Sequence, residues 1–163
     1  MKIYLDVCCY CWPFDNQCDD IIRFESEAIL TIISLCSNNK LTLVKSDIIN
    51  LEVEKILDEV KKLQVMYLTS TGKNNVVLSE KIAARAKVLQ EFGFKPFDAL
   101  HIACAETEAV DYFVTTDKNI QKIAIKNYSN LYVKIINPIS FISEVFYEWN
   151  ILFISNGNKE KRC

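Results

Sequence analysis

Four acidic residues, Asp6, Glu52, Asp98 and Asp117, carry the chemistry that this sequence offers most plainly. Carboxylate oxygens are hard ligands suited to Mg²⁺ or Mn²⁺, ions that keep waters and bind phosphate oxygens. One or two such ions can polarise a phosphodiester, lower the pKa of an attacking water and stabilise the leaving oxygen. Two carboxylates about 4 Å apart repel by roughly 4 kcal/mol at an effective dielectric near 20, and four would sum several such terms. A cluster of this kind requires protons, basic partners or cations. No lysine or arginine adjoins these four in an obvious pairing pattern.

Each acid also has a plainer reading. Asp117 is well placed to cap a helix starting at Lys118. Asp98 lies in the first turn of a helix opened by Pro96, where the helix dipole favours an anion. His101 shares its face at i, i+3, and for His101 a satisfied core histidine is the simpler account. Capping does not explain Asp6, because no helix is expected within the dozen residues after it. Glu52 is the most informative. At about 100° per residue from Ser46, the residues Ile48, Ile49, Val53, Ile56, Leu57, Val60 and Leu63 form one apolar arc, with Glu52 inside it and Glu54 opposite. A lone buried carboxylate is costly unless paired or metal-bound; a glutamate at the rim, with its head in water, is the alternative.

The elements that must position these acids follow from patterning. Ile3–Leu5 reads as a buried strand ending at Asp6. Asp19 or Asp20 caps a helix to about Cys36, Leu41–Val44 is a strand, and Ser46 caps a helix running to about Leu63. Residues 64–78 suggest a turn at Thr71-Gly72 and a short extended piece at Val76–Leu78. Ser79–Phe92 is a helix stopped by Gly93, and Pro96 opens another to about Glu108. Tyr112–Thr115 is a strand, Lys118–Lys126 a helix, and Leu131–Ile136 a last strand. This alternation predicts a three-layer α/β/α domain with a central parallel sheet. In such sheets ligands collect beyond the carboxyl ends of the strands, where Asp6 and Asp117 fall.

Composition sets the bounds. The chain has 163 residues, half of them hydrophobic, enough for one domain with a sizeable core. A net charge of −2 lacks the bias of many nucleic-acid binders. A local basic rim from Lys45, Lys55, Lys81, Arg85, Lys87 and Lys95 would still suffice. Seven cysteines in a chain with an adequate core, together with an N-terminus lacking a signal-peptide pattern, predict a cytoplasmic protein with reduced thiols. Phe141–Ser155 is apolar but interrupted by Glu144 and Glu148 and too short to span a bilayer, so no membrane association is expected. It reads as a C-terminal helix or strand packed on the domain or on a second subunit. Phe146 and Trp149 are its candidate partner-facing residues.

The ordered segments Ile3-Tyr4-Leu5-Asp6, Ser46-Asp47-Ile48-Ile49-Asn50-Leu51-Glu52, Phe97-Asp98-Ala99-Leu100-His101-Ile102-Ala103 and Tyr112-Phe113-Val114-Thr115-Thr116-Asp117 resemble a PIN domain, the fold of VapC-type toxin ribonucleases. The resemblance spans residues 1 to about 142 and leaves 143–163 as a C-terminal extension, part of the same compact unit or partner-binding. It implies a PIN-like α/β fold and an acidic metal site on Asp6, Glu52, Asp98 and Asp117, with Asn119 as a secondary ligand. It also implies Mg²⁺ or Mn²⁺ as cofactor, an RNA substrate, an antitoxin partner and a homodimer. The chain departs from the family pattern after its first Asp. Val7 stands where Thr or Ser is usual, Cys8 and Cys9 follow, and Cys11 and Trp12 replace a polar and a basic residue.

Other chemistries fit less well. Cys8, Cys9, Cys11 and Cys18 suggest zinc, but structural zinc sites show two paired ligand clusters, and the only histidine is far off at position 101. A haloacid-dehalogenase-like phosphatase needs a second Asp two residues after the first, where this chain has Cys8. A phosphoacceptor receiver domain needs an acidic pair and a later lysine that have no counterpart here. The remaining alternative is a PIN-like module that binds RNA or protein without cleaving.

Overall fold

The computed structural model describes residues 1–157, with side chains to residue 149; the last six positions of the expected extension, 158–163, lie outside the described residues. Five strands, β1 (Lys2–Leu5), β2 (Thr42–Ser46), β3 (Asn74–Val76), β4 (Tyr112–Val114) and β5 (Lys134–Ile136), form one sheet in the order β3-β2-β1-β4-β5. Every pairing is parallel, with Ile3 opposite both Leu43 and Tyr112. Strands covered on both faces lose the alternation of a half-exposed sheet and become continuously apolar. Ile3, Tyr4 and Leu5 of β1 are accordingly all fully buried. This is the expected three-layer α/β/α arrangement.

Helices α1 (Val7–Cys11), α2 (Asp20–Ser37), α3 (Asp47–Val53), α4 (Glu59–Thr69), α5 (Glu80–Glu91), α6 (Pro96–Thr107), α7 (Lys118–Lys126) and α8 (Pro138–Gly157) supply the outer layers. Asp19, Ser79 and Asp117 cap α2, α5 and α7 through their side chains. Gly93 stops the chain after α5 with a φ of 103°, a conformation that favours glycine. Helix α8 runs through position 143 and packs Phe141 and Val145 into the core, while Phe146 stays 44% exposed. Among the described residues no helix is long and apolar enough to cross a membrane.

Several expectations are overturned. A helix does begin directly after Asp6: its carboxylate accepts the Val7 N–H at 2.8 Å and caps α1, so capping accounts for part of what Asp6 does. The run Val-Cys-Cys-Tyr-Cys has weak helix propensity, and the local cap rather than the composition makes it helical.

The predicted helix from Ser46 to about Leu63 is two helices. After Val53 the N–H groups of Lys55 and Ile56 bond carbonyls three residues back, Glu52 and Val53, at 3.0 and 3.1 Å, and the helix tightens to a stop. Asp58 then starts α4 by accepting from the Val60 and Lys61 N–H groups, both at 3.0 Å. Leu57, Val60 and Leu63, read as an inward arc, are 94%, 67% and 66% exposed. Helix α4 also continues through residues 64–69, and the third strand lies at Asn74–Val76 rather than Val76–Leu78.

Replacing Asp58 with Ala removes the cap that restarts the chain. The substitution should cost about 1 kcal/mol of stability, measured by denaturant unfolding. An unchanged midpoint would show that the break between α3 and α4 does not depend on this cap.

Candidate metal centre

The strand order brings β1 and β4 side by side, and their carboxyl ends build the centre of the site. The Asp6 N–H continues the ladder to the Val114 carbonyl at 3.0 Å, which fixes its backbone before the side chain is placed. Its carboxylate, in a residue only 7% exposed, then meets three donors: the Val7 N–H on Oδ1, and the Thr115 hydroxyl at 2.7 Å and the Cys8 thiol at 3.0 Å on Oδ2. Thr115, itself fully buried, also accepts the Asp117 N–H at 3.1 Å. One hydroxyl thus couples the two acids that end adjacent strands.

Glu52 reaches the site from α3. Its Oε2 lies 2.8 Å from His101 Nε2, and the other ring nitrogen, Nδ1, lies 2.7 Å from the Tyr4 hydroxyl, which is 2.6 Å from Ser46 Oγ. With a proton on Nε2 facing the carboxylate, Nδ1 is left to accept from Tyr4, and Tyr4 in turn accepts from Ser46. Burial, chiefly, holds the Tyr4 phenol well above its ordinary pKa, so it stays a donor. His101 is therefore the satisfied core histidine expected from sequence, and it also orients Glu52. Ser46 precedes α3 without making a side-chain cap because its hydroxyl is spent on Tyr4.

Asp6, Glu52 and His101 each offer one ligand atom, all within 4.8 Å of one another. Asp98 and Asp117 stand outside that tight group but within its field. Burial pushes the Asp98 carboxyl up to about 6, repulsion from Asp6 and Asp117 adds to it, and Lys95 and His101 pull it partly back. Asp117 caps α7 by accepting from the Asn119 and Ile120 N–H groups at 2.6 and 3.2 Å. Asn119 is exposed and joins the site through that backbone N–H. With Trp12, Glu25, Asp117 and Lys118 it lines a cleft of about 360 Å³ beside the acids.

Among the described residues, no lysine or arginine ion-pairs with Asp6, Glu52, Asp98 or Asp117. Arg85, expected in a basic rim, is held instead by Glu106 at 2.6 and 3.1 Å. Lys55 lies over the Phe97 ring at 3.8 Å, next to Asp98 in sequence. The donor set of two clustered acids with two more nearby fits a divalent cation. The four-cysteine zinc alternative has no support, since Cys9 is buried and bonds the Val114 carbonyl while Cys18 is exposed. Thr115, Tyr4 and Ser46 went unread in the sequence; the available signal was that buried Tyr and Thr hydroxyls in apolar strands require partners.

The family model "PIN domain" matches residues 24–126, a stretch holding Glu52, Asp98 and Asp117. The chain belongs to the PIN domain family. VapBC2 from Rickettsia felis, solved bound to a DNA fragment from their promoter, superposes with a TM-score of 0.54 at 17% identity, covering 84% of this chain and 98% of that one. FitAcB from Neisseria gonorrhoeae gives a TM-score of 0.52 at 18% identity, covering 83% and 97%. At such identities the likeness speaks for the fold. A search of curated proteins returns no match.

Asp98 sets a sign that can be measured. Its folded-state value of about 6 exceeds the ordinary 3.8, so the ionised form penalises folding; the penalty is complete above about pH 6 and fades as pH falls towards 4. In chelator, Asp98→Asn should raise the melting temperature at pH 7, and the gain should shrink as pH drops through 6 to 4. A gain that grew on acidification would contradict the crowding of these acids.

Proposed function

We propose that this chain is a metal-dependent endonuclease that hydrolyses phosphodiester bonds, in RNA, and acts as the toxin of a toxin–antitoxin pair. Carboxylates gathered at the carboxyl edge of the sheet and, among the described residues, not ion-paired with any lysine or arginine carry the reading. Asp6, Glu52, Asp98 and Asp117 would hold Mg²⁺ or Mn²⁺, with Asn119 as a peripheral contributor. A bound ion would supply polarisation of the phosphodiester and a lowered pKa for an attacking water.

The chain's own residues do the rest. Thr115 and the Val7 N–H hold Asp6 in one orientation, and His101 holds Glu52. Asp98, raised to about 6 by its half-buried place beside two other acids, must lose its proton for the site to reach full charge. Lys118 and Trp12, in the cleft beside Asp117, offer a cation for phosphate and a ring for base stacking. Residues 1–142 carry this nuclease in our reading, and 143–163 extend it.

An antitoxin partner has support on the surface. Phe14, Leu30, Leu63, Tyr67 and Leu68 line an open apolar groove between α2 and α4, in which Leu30, Leu63 and Tyr67 are 46%, 66% and 78% exposed. Apolar side chains exposed contiguously mark interaction sites. Both solved neighbours are named as two-component assemblies. A homodimer completes the proposed assembly.

The test is cleavage of a mixed single-stranded RNA pool with Mn²⁺, with Mg²⁺ and with chelator. Cleavage should require metal and disappear in Asp6→Asn, Asp98→Asn and Asp117→Asn, with folding retained. Glu52→Gln should be severely impaired. Glu54→Gln should match the wild type, because Glu54 points to Lys62 at 2.7 Å instead. Full activity in all three Asn variants would remove the proposed site. Mn²⁺-induced stabilisation of an inactive wild type towards every RNA offered would favour the non-cleaving PIN-like module.

A further inference from the structure

Helix α7 starts at the acids and leads away from them. It holds three lysines, Lys118, Lys122 and Lys126, and no acid. At about 100° per residue the three fall within about 80° of its circumference, opposite the buried Ile120 and Ala124. All three are exposed, and among the described residues none is ion-paired. In a chain of net charge −2 this is a segregated stripe of one sign. Lys126 suits the carboxyl end of the helix, where the dipole favours a cation. Lys118, at the amino end, stands against that dipole, so helix stability does not account for it.

The stripe runs on to an aromatic surface. Tyr128 and Tyr132, 79% and 76% exposed, line a cleft of about 520 Å³ with Ile125, Leu131 and Lys134. Tyr132 is held as a platform. The Arg85 guanidinium lies over its ring, 4.7 Å from the centroid. Glu106 fixes that guanidinium at 2.6 and 3.1 Å, the Asn130 carbonyl accepts from it at 2.7 Å, and Glu106 also accepts the Tyr132 N–H at 2.9 Å. The ring is thus fixed on one side and, being largely exposed, presents the rest of its surface to solvent.

Charge and geometry together name the occupant. Lysines one turn apart repeat at about 6 Å along the helix axis, a step that the phosphates of an extended single strand can follow. Stacking on an aromatic ring requires bases that are free of a duplex. Resting on the nuclease reading above, we infer that α7 and the Arg85-backed Tyr132 form a track for single-stranded RNA, carrying the nucleotides that flank the cleaved bond from the acids to the far end of the helix.

Fluorescence anisotropy of a labelled single-stranded RNA, with the full chain in chelator so that nothing is cleaved, tests this. Lys122→Gln combined with Lys126→Gln should weaken binding about tenfold at low salt and lower the slope of log Kd against log salt by about 1.4, since each phosphate contact contributes about 0.7. Tyr132→Ala should weaken binding about tenfold with the slope unchanged, and Tyr132→Phe should bind like the wild type. Lys73→Gln, an equal charge change beside β3 at the opposite edge of the sheet, should have no effect. These side chains are all exposed, so melting temperatures should stay close to the wild type. An unchanged slope in the lysine pair, full binding by Tyr132→Ala, or duplex RNA bound as tightly as the single strand would overturn the track, and metal-dependent cleavage would still leave the nuclease standing. A wild type that neither binds RNA nor cleaves it with Mn²⁺ would overturn both.

Discussion

Mutual repulsion among carboxylates is the constraint around which this molecule is built. In a parallel sheet ordered β3-β2-β1-β4-β5, the chain leaves β1 in one direction and later returns to its other side, so the crevice opens where β1 meets β4. Asp6 leaves the first of these strands and Asp117 follows the second. The fold therefore delivers two acids to one place by topology alone, and α3 and α6 bring two more. What then needs explaining is how the protein tolerates them.

Among the described residues it does so chiefly with hydrogen bonds, none of the four acids being ion-paired with a lysine or arginine. Asp6 takes a hydroxyl, a thiol and a backbone N–H; Asp117 takes two N–H groups of α7; Glu52 takes the imidazole of His101. Each favours the ionised acid and fixes its direction. The chain Ser46–Tyr4–His101–Glu52 reaches further, since it ties the end of β2, the middle of β1, α6 and α3 into one buried line. A fully satisfied buried network of this kind specifies a unique packing, and losing any member leaves an orphaned polar group in a dry core. Burial first, and then the charges of Asp6 and Asp117, raise the Asp98 carboxyl to about 6.

Much of this was legible in the sequence, and the failures have physical causes. The α/β alternation, the parallel sheet and the four candidate acids follow from apolar runs, caps and the residues that end each run. Glu52 lies beside Asp6 and His101, but the helix-face argument that singled it out is only half right. Ile48, Ile49 and Val53 do form a buried face around it, but the arc drawn on to Leu63 crosses a break that Asp58 makes. Periodicity cannot separate an apolar face that packs inward from one left open, and Leu57, Val60 and Leu63 belong to the second kind. The helix after Asp6 was missed because its residues have little helical preference and its existence depends on one carboxylate. Tyr4 and Thr115 read as ordinary strand residues, and their hydroxyls acquire meaning only once the strands are side by side.

The departures from the family pattern after Asp6 take on a different weight in three dimensions. A hydroxyl expected at position 7 is absent, yet the Val7 backbone N–H donates to Asp6 whatever the side chain, and Thr115, just past the neighbouring strand β4, supplies the hydroxyl. A cation expected near position 12 is absent, yet Lys118 lines the same cleft as Trp12, and Lys95 acts on Asp98. The functions that the family pattern assigns to one loop are here spread over β4, α6 and α7. Substitutions in that loop therefore leave the acids supported from elsewhere, and what they alter is the chemistry presented beside the acids: sulfur at Cys8 and an indole at Trp12. Retention of four repelling carboxylates, each with its orientation or charge state still controlled, is what a working hydrolytic site requires and what a purely structural domain has no physical reason to keep.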